Sequence, residues 1–496
     1  MLLLKLDEKS RTPKYRQILD ELRRKIESRN LRPGEKLPST RRLADLLDVH
    51  RSTVALAYQE LWALGHIDLR PGSCPRVRER MKIATAEDRA EKGLIDWDKT
   101  ASAAVNAVRQ AYVLYQAQSG KTAGPSIINF GSLDMDRRLF PLDRFRSCMN
   151  RVIKKQGRVL LGYGDRAGFP PLREYIARRL QSHGINAAAD EILITNGSQQ
   201  GIDLVFRMIA SPGKTIAIES PTYSYMIPLL RLYGLRPLAI PIRHGGMDLS
   251  ILEKKIEKER PALVYTMPNF QNPTGISTGQ AHRERLLSIC EKHRIPILED
   301  GYDEEMKYFG RVVLPIKSMD KRHLVIYGGT FSKILFPGVR IGWIAAEKEC
   351  VGRLTAIRAF SELSPSMILQ AAVHEFCRDG GFDRHIAKMH RVFRKRMQTV
   401  LRALHRHIPP EWAEWTEPIG GYLIWLKLKP VQPPPDWKAA LAAQGVQAAP
   451  GRLFFSSQTA ETSLRLSIST LDEKEIEEGV RRLAKALGLV YARRKP

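Results

Sequence analysis

Residues 328–340 read Gly328-Gly329-Thr330-Phe331-Ser332-Lys333-Ile334-Leu335-Phe336-Pro337-Gly338-Val339-Arg340. They follow the apolar run Leu324-Val325-Ile326, so a loop of glycines and hydroxyls begins where a buried strand is expected to end. A lone lysine is ordinarily a solvated surface residue. Lys333 differs because it closes such a loop and Arg340 lies seven positions on, a spacing that can bring two cations to one anionic ligand.

Working back along the chain, four more apolar runs each end in a polar motif. Ile297-Leu298 leads to Glu299-Asp300-Gly301-Tyr302, a carboxylate and a phenol at a strand end, and Leu263-Val264-Tyr265 leads to Asn269-Phe270-Gln271-Asn272-Pro273-Thr274-Gly275, a rigid turn projecting one amide. Ile216-Ala217-Ile218 leads to Glu219-Ser220-Pro221-Thr222-Tyr223, and Ile192-Leu193-Ile194 to Thr195-Asn196-Gly197-Ser198-Gln199-Gln200. In the last motif Gly197 lets backbone approach an anion, and the helix that follows offers free N–H groups. Each motif is weak alone: a Gly-Ser turn is usually only a turn, and a tyrosine is usually only packing. Their common position after buried strands that alternate with helical stretches predicts a parallel α/β sheet with ligand groups at its carboxyl edge.

That α/β part is expected over about 127–375. Beyond it, GFDRHIAKMHRVFRKRMQTVLRALHRH reads as one long basic helix, and YLIWLKL and SLRLSIS read as strands of a smaller α+β lobe over 376–496. Residues 79–125 have weak periodicity and a turn-rich end, so they read as a linker carrying one helix.

The first 78 residues follow another plan. Tyr15, Ile18, Leu19, Leu22 and Ile26 recur at helical spacing, and Pro33, Gly34 and Pro38 break the pattern. A short helix then turns Leu43, Ala44, Leu46 and Leu47 inward. After the turn at Asp48-Val49-His50, a third helix buries Val54, Tyr58, Leu61 and Trp62 and ends before Gly65. His66–Leu69 and Arg76-Val77 read as two short strands around Pro71-Gly72. Three helices and a hairpin form a winged helix-turn-helix, in which the helix after the turn enters the DNA major groove and its exposed first residues, Arg51, Ser52 and Thr53, reach bases and phosphates. A small helical domain with merely solvated charges is the alternative that this pattern leaves open.

Composition sets the outer limits. With 496 residues there is room for more than one domain, and the net charge of +27 calls for an anionic partner. The first 80 residues hold 18 Lys and Arg against 11 Asp and Glu, a surplus of +7, so most of the excess lies elsewhere. No apolar run approaches the roughly 20 residues of a membrane span, so a membrane partner is not expected. The opening MLLLKLDEKS reads as too short an apolar stretch for a signal peptide and lacks a small-residue cleavage site, and five scattered cysteines suit reduced thiols, which predicts a soluble cytoplasmic protein with no metal site.

The string PGEKLPSTRRLADLLDVHRSTVALAYQELWALGHIDLRPG (residues 33–72) resembles the GntR family of bacterial regulators. That resemblance implies DNA contact by Arg41, Arg51, Ser52 and Thr53, with Gly72 in the wing. His50 stands where the family often has a serine cap, Ala55 where a basic residue can sit, and SCPRV replaces the usual wing sequence. Over about residues 127–490, the motifs GSQQ, NPTG, ED-x-Y and GTFSK-x6-R resemble the fold-type I aminotransferases.

The second resemblance implies pyridoxal 5′-phosphate, with Lys333 in the Schiff base and Asp300 on the pyridine nitrogen. Asn272 and Tyr302 would donate to the ring oxygen, and Tyr223 would stack on the ring. Ser198, Gln199, Thr330, Ser332 and Arg340 would hold the phosphate. Tyr163, in LGYGDRAG, would reach the phosphate of the partner subunit, and Arg465, in SLRLSIS, would bind the carboxylate of a substrate or effector.

The fusion as a whole resembles the MocR group of regulators. It implies a head-to-tail homodimer that reads an operator with two half-sites in double-stranded DNA and senses an amino compound by forming an external aldimine. Gly301 stands where this group commonly has a second Asp, whereas Asn272 matches the catalytic aminotransferases, which keeps a working transaminase with an appended DNA-binding domain as the alternative. A vestigial pocket that binds no cofactor is the third reading.

Overall fold

Helical spacing of apolar residues builds the amino-terminal unit as expected. In this computed structural model every residue is described except 1–3, 5, 9, 11, 71, 79–93, 117–126, 244, 311–312, 432–435 and 493–496. The opening residues, Pro71 and much of the expected linker thus lie outside the described residues. The chain divides into two units, Met1–Thr100 and Ala101–Pro496.

In the first unit α1 (Lys14–Glu27), α2 (Thr40–Leu47) and α3 (Arg51–Ala63) precede a two-stranded antiparallel wing of β1 (Ile67–Asp68) and β2 (Arg76–Val77), followed by the short α4 (Trp97–Thr100). Ser39 caps α2 by accepting the Arg42 N–H at 3.2 Å. Asp48, with φ 50°, makes the tight turn into α3, and Gly65, with φ 75°, leaves that helix. Ile18, Leu19, Leu22, Leu43, Val54, Tyr58, Leu61 and Ile67 form the core. Leu46 and Trp62, expected inward, are instead 54% and 52% exposed. Each lies roughly 90–110° around its helix from the centre of the buried stripe, and helices this short bury only one stripe.

The second unit begins with α5 (Ala103–Gln116), the helix expected inside the linker. It does not float free, because it packs against α9. After β3 (Ile128–Asn129) come α6 (Leu142–Leu160), α7 (Pro170–Ser182), β4 (Ile192–Thr195), α8 (Ser198–Ile209), β5 (Thr215–Ser220) and α9 (Met226–Leu232). Then follow β6 (Arg236–Arg243), β7 (Gly246–Met247), α10 (Leu249–Glu259), β8 (Leu263–Thr266), α11 (Gln280–His293), β9 (Ile297–Asp300), α12 (Ile316–Met319), β10 (Val325–Thr330) and β11 (Gly342–Ala345). The remainder is α13 (Lys348–Glu362), α14 (Met367–Arg378), α15 (Gly381–His407), β12 (Ala413–Trp415), β13 (Leu423–Leu428), α16 (Trp437–Ala443), β14 (Val446–Gln447), β15 (Ala449–Pro450), β16 (Ser463–Ser467) and α17 (Glu473–Ala492).

The five strands expected from apolar runs are all present, in a sheet ordered β4-β11-β10-β9-β8-β5-β6-β7. Neighbours from β10 through β6 are parallel, whereas β11 runs antiparallel between β10 and β4. The five expected strands run in one direction, as expected, and the sheet is mixed because β11, which the sequence reading did not include, and the edge strand β7 run against them. β11 escapes a sequence reading because Gly342-Trp343-Ile344-Ala345 is short and opens on glycine.

The smaller lobe holds the antiparallel sheet β12-β13-β16-β15, with α15 against α17. Its boundary with the large part also differs from expectation. β3 pairs with β14, and the Ser467 N–H donates to the Phe130 carbonyl at 2.8 Å, so the segment near 128–136 joins the small lobe. α14 packs on α6 and α7, which carries the large part to about residue 378. Among the described residues no helix is long and apolar enough to cross a membrane, and no group of three or more His, Cys, Asp or Glu is placed to hold a metal ion.

Candidate functional site

The carboxyl ends of β4, β5, β8, β9 and β10 open onto one cavity of about 490 Å³. Of the pocket residues expected from sequence, Ser198, Gln199, Tyr223, Asn272, Asp300, Tyr302, Thr330, Ser332, Lys333, Arg340 and Arg465 all line it. Tyr163 does not; it is 83% exposed on the surface of this chain.

Lys333 projects from the loop after β10, and its Nζ donates to the Leu133 carbonyl at 2.8 Å. Burial pulls its ammonium below the usual lysine range, against the opposing pull of Asp303 and Asp134. A larger fraction is therefore the free amine that a nucleophile requires. Asp300 closes β9. Its Oδ2 accepts from the Tyr265 hydroxyl at 2.8 Å, and its buried Oδ1 has no partner. Burial pushes this carboxyl up to about 6, so it remains ionised at neutral pH and offers one acceptor to a cationic N–H.

The anion cup lies at the start of α8. Gly197 has φ 81°, and a Cβ there would stand 2.8 Å from Arg340 Nη2, so glycine keeps the space that the guanidinium uses. Arg340 Nη2 donates to the Asn196 carbonyl at 2.8 Å, which holds the cation over the helix N-terminus. The Ser332 hydroxyl is buried without a partner. Thr330 is less free: its hydroxyl donates to the Ile341 carbonyl and accepts the Ser332 N–H, both at 3.1 Å, so it shapes the loop.

Arg465 lies on β16, 4% exposed, with its guanidinium 5.0 Å from the Phe454 ring centre. Nη2 donates to the Gly131 carbonyl at 2.7 Å and Nη1 to Asn272 Oδ1 at 3.4 Å, while Nε is buried without a partner. Among the described residues no carboxylate pairs with it, and burial pulls it down to about 10. A buried, charged guanidinium with an unused donor is a natural seat for a ligand carboxylate.

Two of the expected residues are hydrogen-bonded within the chain. The Tyr302 hydroxyl donates to the Phe270 carbonyl at 2.8 Å, so its proton is committed and donation to a ring oxygen would require it to turn. Gln199 accepts from the Tyr223 hydroxyl at 3.1 Å, which ties this side chain to the ring wall rather than to the anion cup alone.

The tertiary structure adds residues that the motifs did not mark. Tyr265 holds Asp300, and its signal was its place in the strand Leu263-Val264-Tyr265. Tyr115 of α5 lines the cavity, donates to the Ser224 carbonyl at 2.7 Å and stacks on Tyr225 with centroids 4.9 Å apart. Tyr225 in turn stacks on Tyr223 at 5.7 Å. No local signal marks Tyr115, because its neighbours in the chain read as linker.

Pyridoxal 5′-phosphate fits this donor set. Asp300 Oδ1 suits a pyridinium N–H, Ser332, Arg340 and the first N–H groups of α8 suit a phosphate, and the Lys333 amine suits the carbonyl carbon.

In the first unit Arg41 and Arg51 are exposed at the starts of α2 and α3, Ser52 is exposed beside Arg51, Thr53 is half-buried, and Gly72 is exposed with φ 74° in the wing. His50, which replaces the more usual serine, does cap α3: its Nδ1 accepts the Ser52 N–H at 3.3 Å and lies 2.6 Å from the Ser52 hydroxyl. The Ser52 side chain is thus oriented by His50.

Residues 125–483 match the family model for aminotransferase class I and II, and residues 14–77 match that for bacterial regulatory proteins, gntR family. The 2-aminoadipate transaminase of Thermus thermophilus is 36% identical over 371 residues, 74% of this chain and 91% of that protein. The "Probable rhizopine catabolism regulatory protein MocR" of Rhizobium meliloti is 29% identical over 487 residues, 98% of this chain and 96% of that protein. Among solved structures, the α-aminoadipate aminotransferase LysN of Thermus thermophilus, complexed with N-(5′-phosphopyridoxyl)-L-leucine, aligns with TM-score 0.74 at 31% identity, covering 81% of this chain and all of that one.

Proposed function

Because this chain belongs to the aminotransferase class I and II family and carries a gntR-type domain ahead of that region, we propose that it is a transcriptional regulator whose cofactor pocket senses a small amino compound. One observation carries this reading. Lys333, Asp300 and Arg465 converge on a single cavity in a chain whose first unit offers Arg51 at the start of the helix after the turn.

Pyridoxal 5′-phosphate, when bound, supplies an electrophilic carbonyl carbon and an electron-withdrawing ring. Lys333 provides the amine that holds it covalently. Asp300, steadied by Tyr265, keeps a proton at the pyridine nitrogen, and Tyr223 packs against the ring. Ser198, Ser332 and Arg340 bind the phosphate, with Thr330 and Gln199 shaping their surroundings. Asn272, whose oxygen faces Arg465, is left with its amide N–H groups for the ring oxygen. Arg465 binds the carboxylate of an amino compound whose amine competes with that of Lys333.

Regulation requires two arrangements of the protein with different affinities for that compound, since a ligand that binds both equally shifts neither. A cytoplasmic homodimer with head-to-tail subunits supplies two DNA-reading heads for paired half-sites. Support for it comes from the exposed apolar side chains of Val159, Leu161 and Tyr163 after the body of α6, where Tyr163 is free to serve a partner's phosphate.

The test is an operator titration with cofactor-loaded protein, with and without candidate amines. An effector is expected to move operator affinity by roughly 5- to 150-fold. Affinity unchanged by the whole amine panel overturns the switch. In the same assay Arg51→Ala is expected to weaken operator binding by about 1–3 kcal/mol if the guanidinium reads a base edge, and unchanged affinity removes Arg51 from the interface.

The free-amine tendency of Lys333 also suits proton transfer in transamination. Single-turnover spectroscopy distinguishes this second reading: release of a keto acid marks turnover, and a persistent complex marks a sensor.

A further inference from the structure

Once the cofactor and a simple amino acid are assigned their partners, one charge lining the cavity is left over. Arg465 takes the carboxylate, Arg340 the phosphate and Asp300 the pyridine nitrogen. Asp134 also lines the cavity, and among the described residues no cation lies within ion-pair distance of its carboxylate. It sits on a short loop fixed at three points. Gly131 accepts from Arg465 at 2.7 Å, Leu133 accepts from Lys333 at 2.8 Å, and the Asp134 N–H donates to the Ser132 hydroxyl at 3.1 Å. Asp134 thus belongs to the loop that ties the carboxylate-binding guanidinium to the reactive amine.

The opposite requirement, an apolar but cation-tolerant wall, is met in the same cavity by the stacked rings of Tyr115, Tyr225 and Tyr223. Such a stack offers apolar surface against which a methylene chain can pack. Asp134 is exposed to solvent at the cavity, so a neutral side chain leaves it hydrated and gains nothing from it, whereas a second carboxylate would be repelled by it.

We propose that this pocket selects amino acids whose side chain ends in a cation, an amine or a guanidine, with Asp134 as its acceptor. The proposal rests on the reading of the pocket as an amino-compound sensor and adds the class of compound.

The test uses full-length, cofactor-loaded protein titrated with L-ornithine, L-lysine, L-arginine, L-norleucine and L-2-aminoadipate. Binding is followed by cofactor absorbance and, independently, by calorimetry. At least one of the three cationic amino acids is expected to bind roughly 2- to 5-fold more tightly than norleucine, with 2-aminoadipate weakest. Asp134→Asn is expected to erase the preference over norleucine. Because the preference is a ratio within one protein, a general loss of affinity does not imitate it. Norleucine binding as tightly as all three cationic amino acids overturns the selectivity and leaves the sensor reading standing, and so does a preference that survives in Asp134→Asn. No response to any amino acid in either readout overturns both.

Discussion

Lys333→Ala is expected to abolish covalent attachment of the cofactor and every effect of amines on operator affinity, while basal DNA binding by the first unit persists. Lys333 is the one amine among the residues lining the cavity, and burial already favours its uncharged, nucleophilic form. No neighbour can replace it, because Arg340 and Arg465 carry guanidiniums that stay protonated and are poor nucleophiles. The side chain makes one hydrogen bond in the structure, to the Leu133 carbonyl, so its removal leaves the surrounding strands β9 and β10 intact. The visible absorbance of purified protein and an operator titration with amines measure the two losses separately. An amine that still shifts operator affinity in Lys333→Ala would show that sensing does not pass through this lysine.

The second large effect concerns Arg465. Arg465→Met is expected to lower affinity for carboxylate-bearing amines by about 2–5 kcal/mol, the magnitude for truncating one member of a buried, hydrogen-bonded charge pair. Amines without a carboxylate are expected to lose far less, and titrating an amino acid beside its decarboxylated amine checks that difference. A second consequence has the opposite sign. The guanidinium is 4% exposed with no carboxylate beside it, so the ligand-free protein maintains a buried charge that a methionine of similar length would not. Thermal unfolding of ligand-free Arg465→Met is therefore expected at a higher temperature than that of the parent. Equal losses for both ligand types, or a lower unfolding temperature, would show that Arg465 acts chiefly as structural packing against Phe454.

The two expectations share a feature of the site: binding groups are held ready without partners. Asp300 Oδ1, Ser332 Oγ and Arg465 Nε are all buried and unpaired, a pattern that a fold tolerates where a ligand completes the hydrogen bonding.

Much of this was legible in the chain alone, for a physical reason. Buried strands need continuous apolar runs, and an α/β sheet gathers its ligands where those runs stop, so TNGSQQ, ESPTY, NPTG, ED-G-Y and GTFSK announced themselves by position as well as by composition. The first unit was equally readable, because breakers and caps such as Pro38, Ser39 and Gly65 act on their immediate neighbours.

What sequence left out were relations between distant segments. Tyr115 stood in a stretch that read as linker, and only the packing of α5 on α9 brings it to the cavity. The antiparallel course of β11 depends on sheet pairing, which four residues cannot encode alone. Tyr302 had the right chemistry and the right place, but that its hydroxyl donates to the Phe270 carbonyl is a fact of the tertiary structure alone.

By itself, then, the sequence determined the two domain types and marked Lys333, Asp300 and Arg340 as candidates through local motifs, while Arg465 entered only through the family resemblance. Tertiary structure alone decided which of those groups are already satisfied, which remain unpaired, and that Asp134 and the tyrosine stack share the cavity with them. Burial and hydrogen bonding are properties of what surrounds a residue, and most of that surrounding comes from elsewhere in the chain.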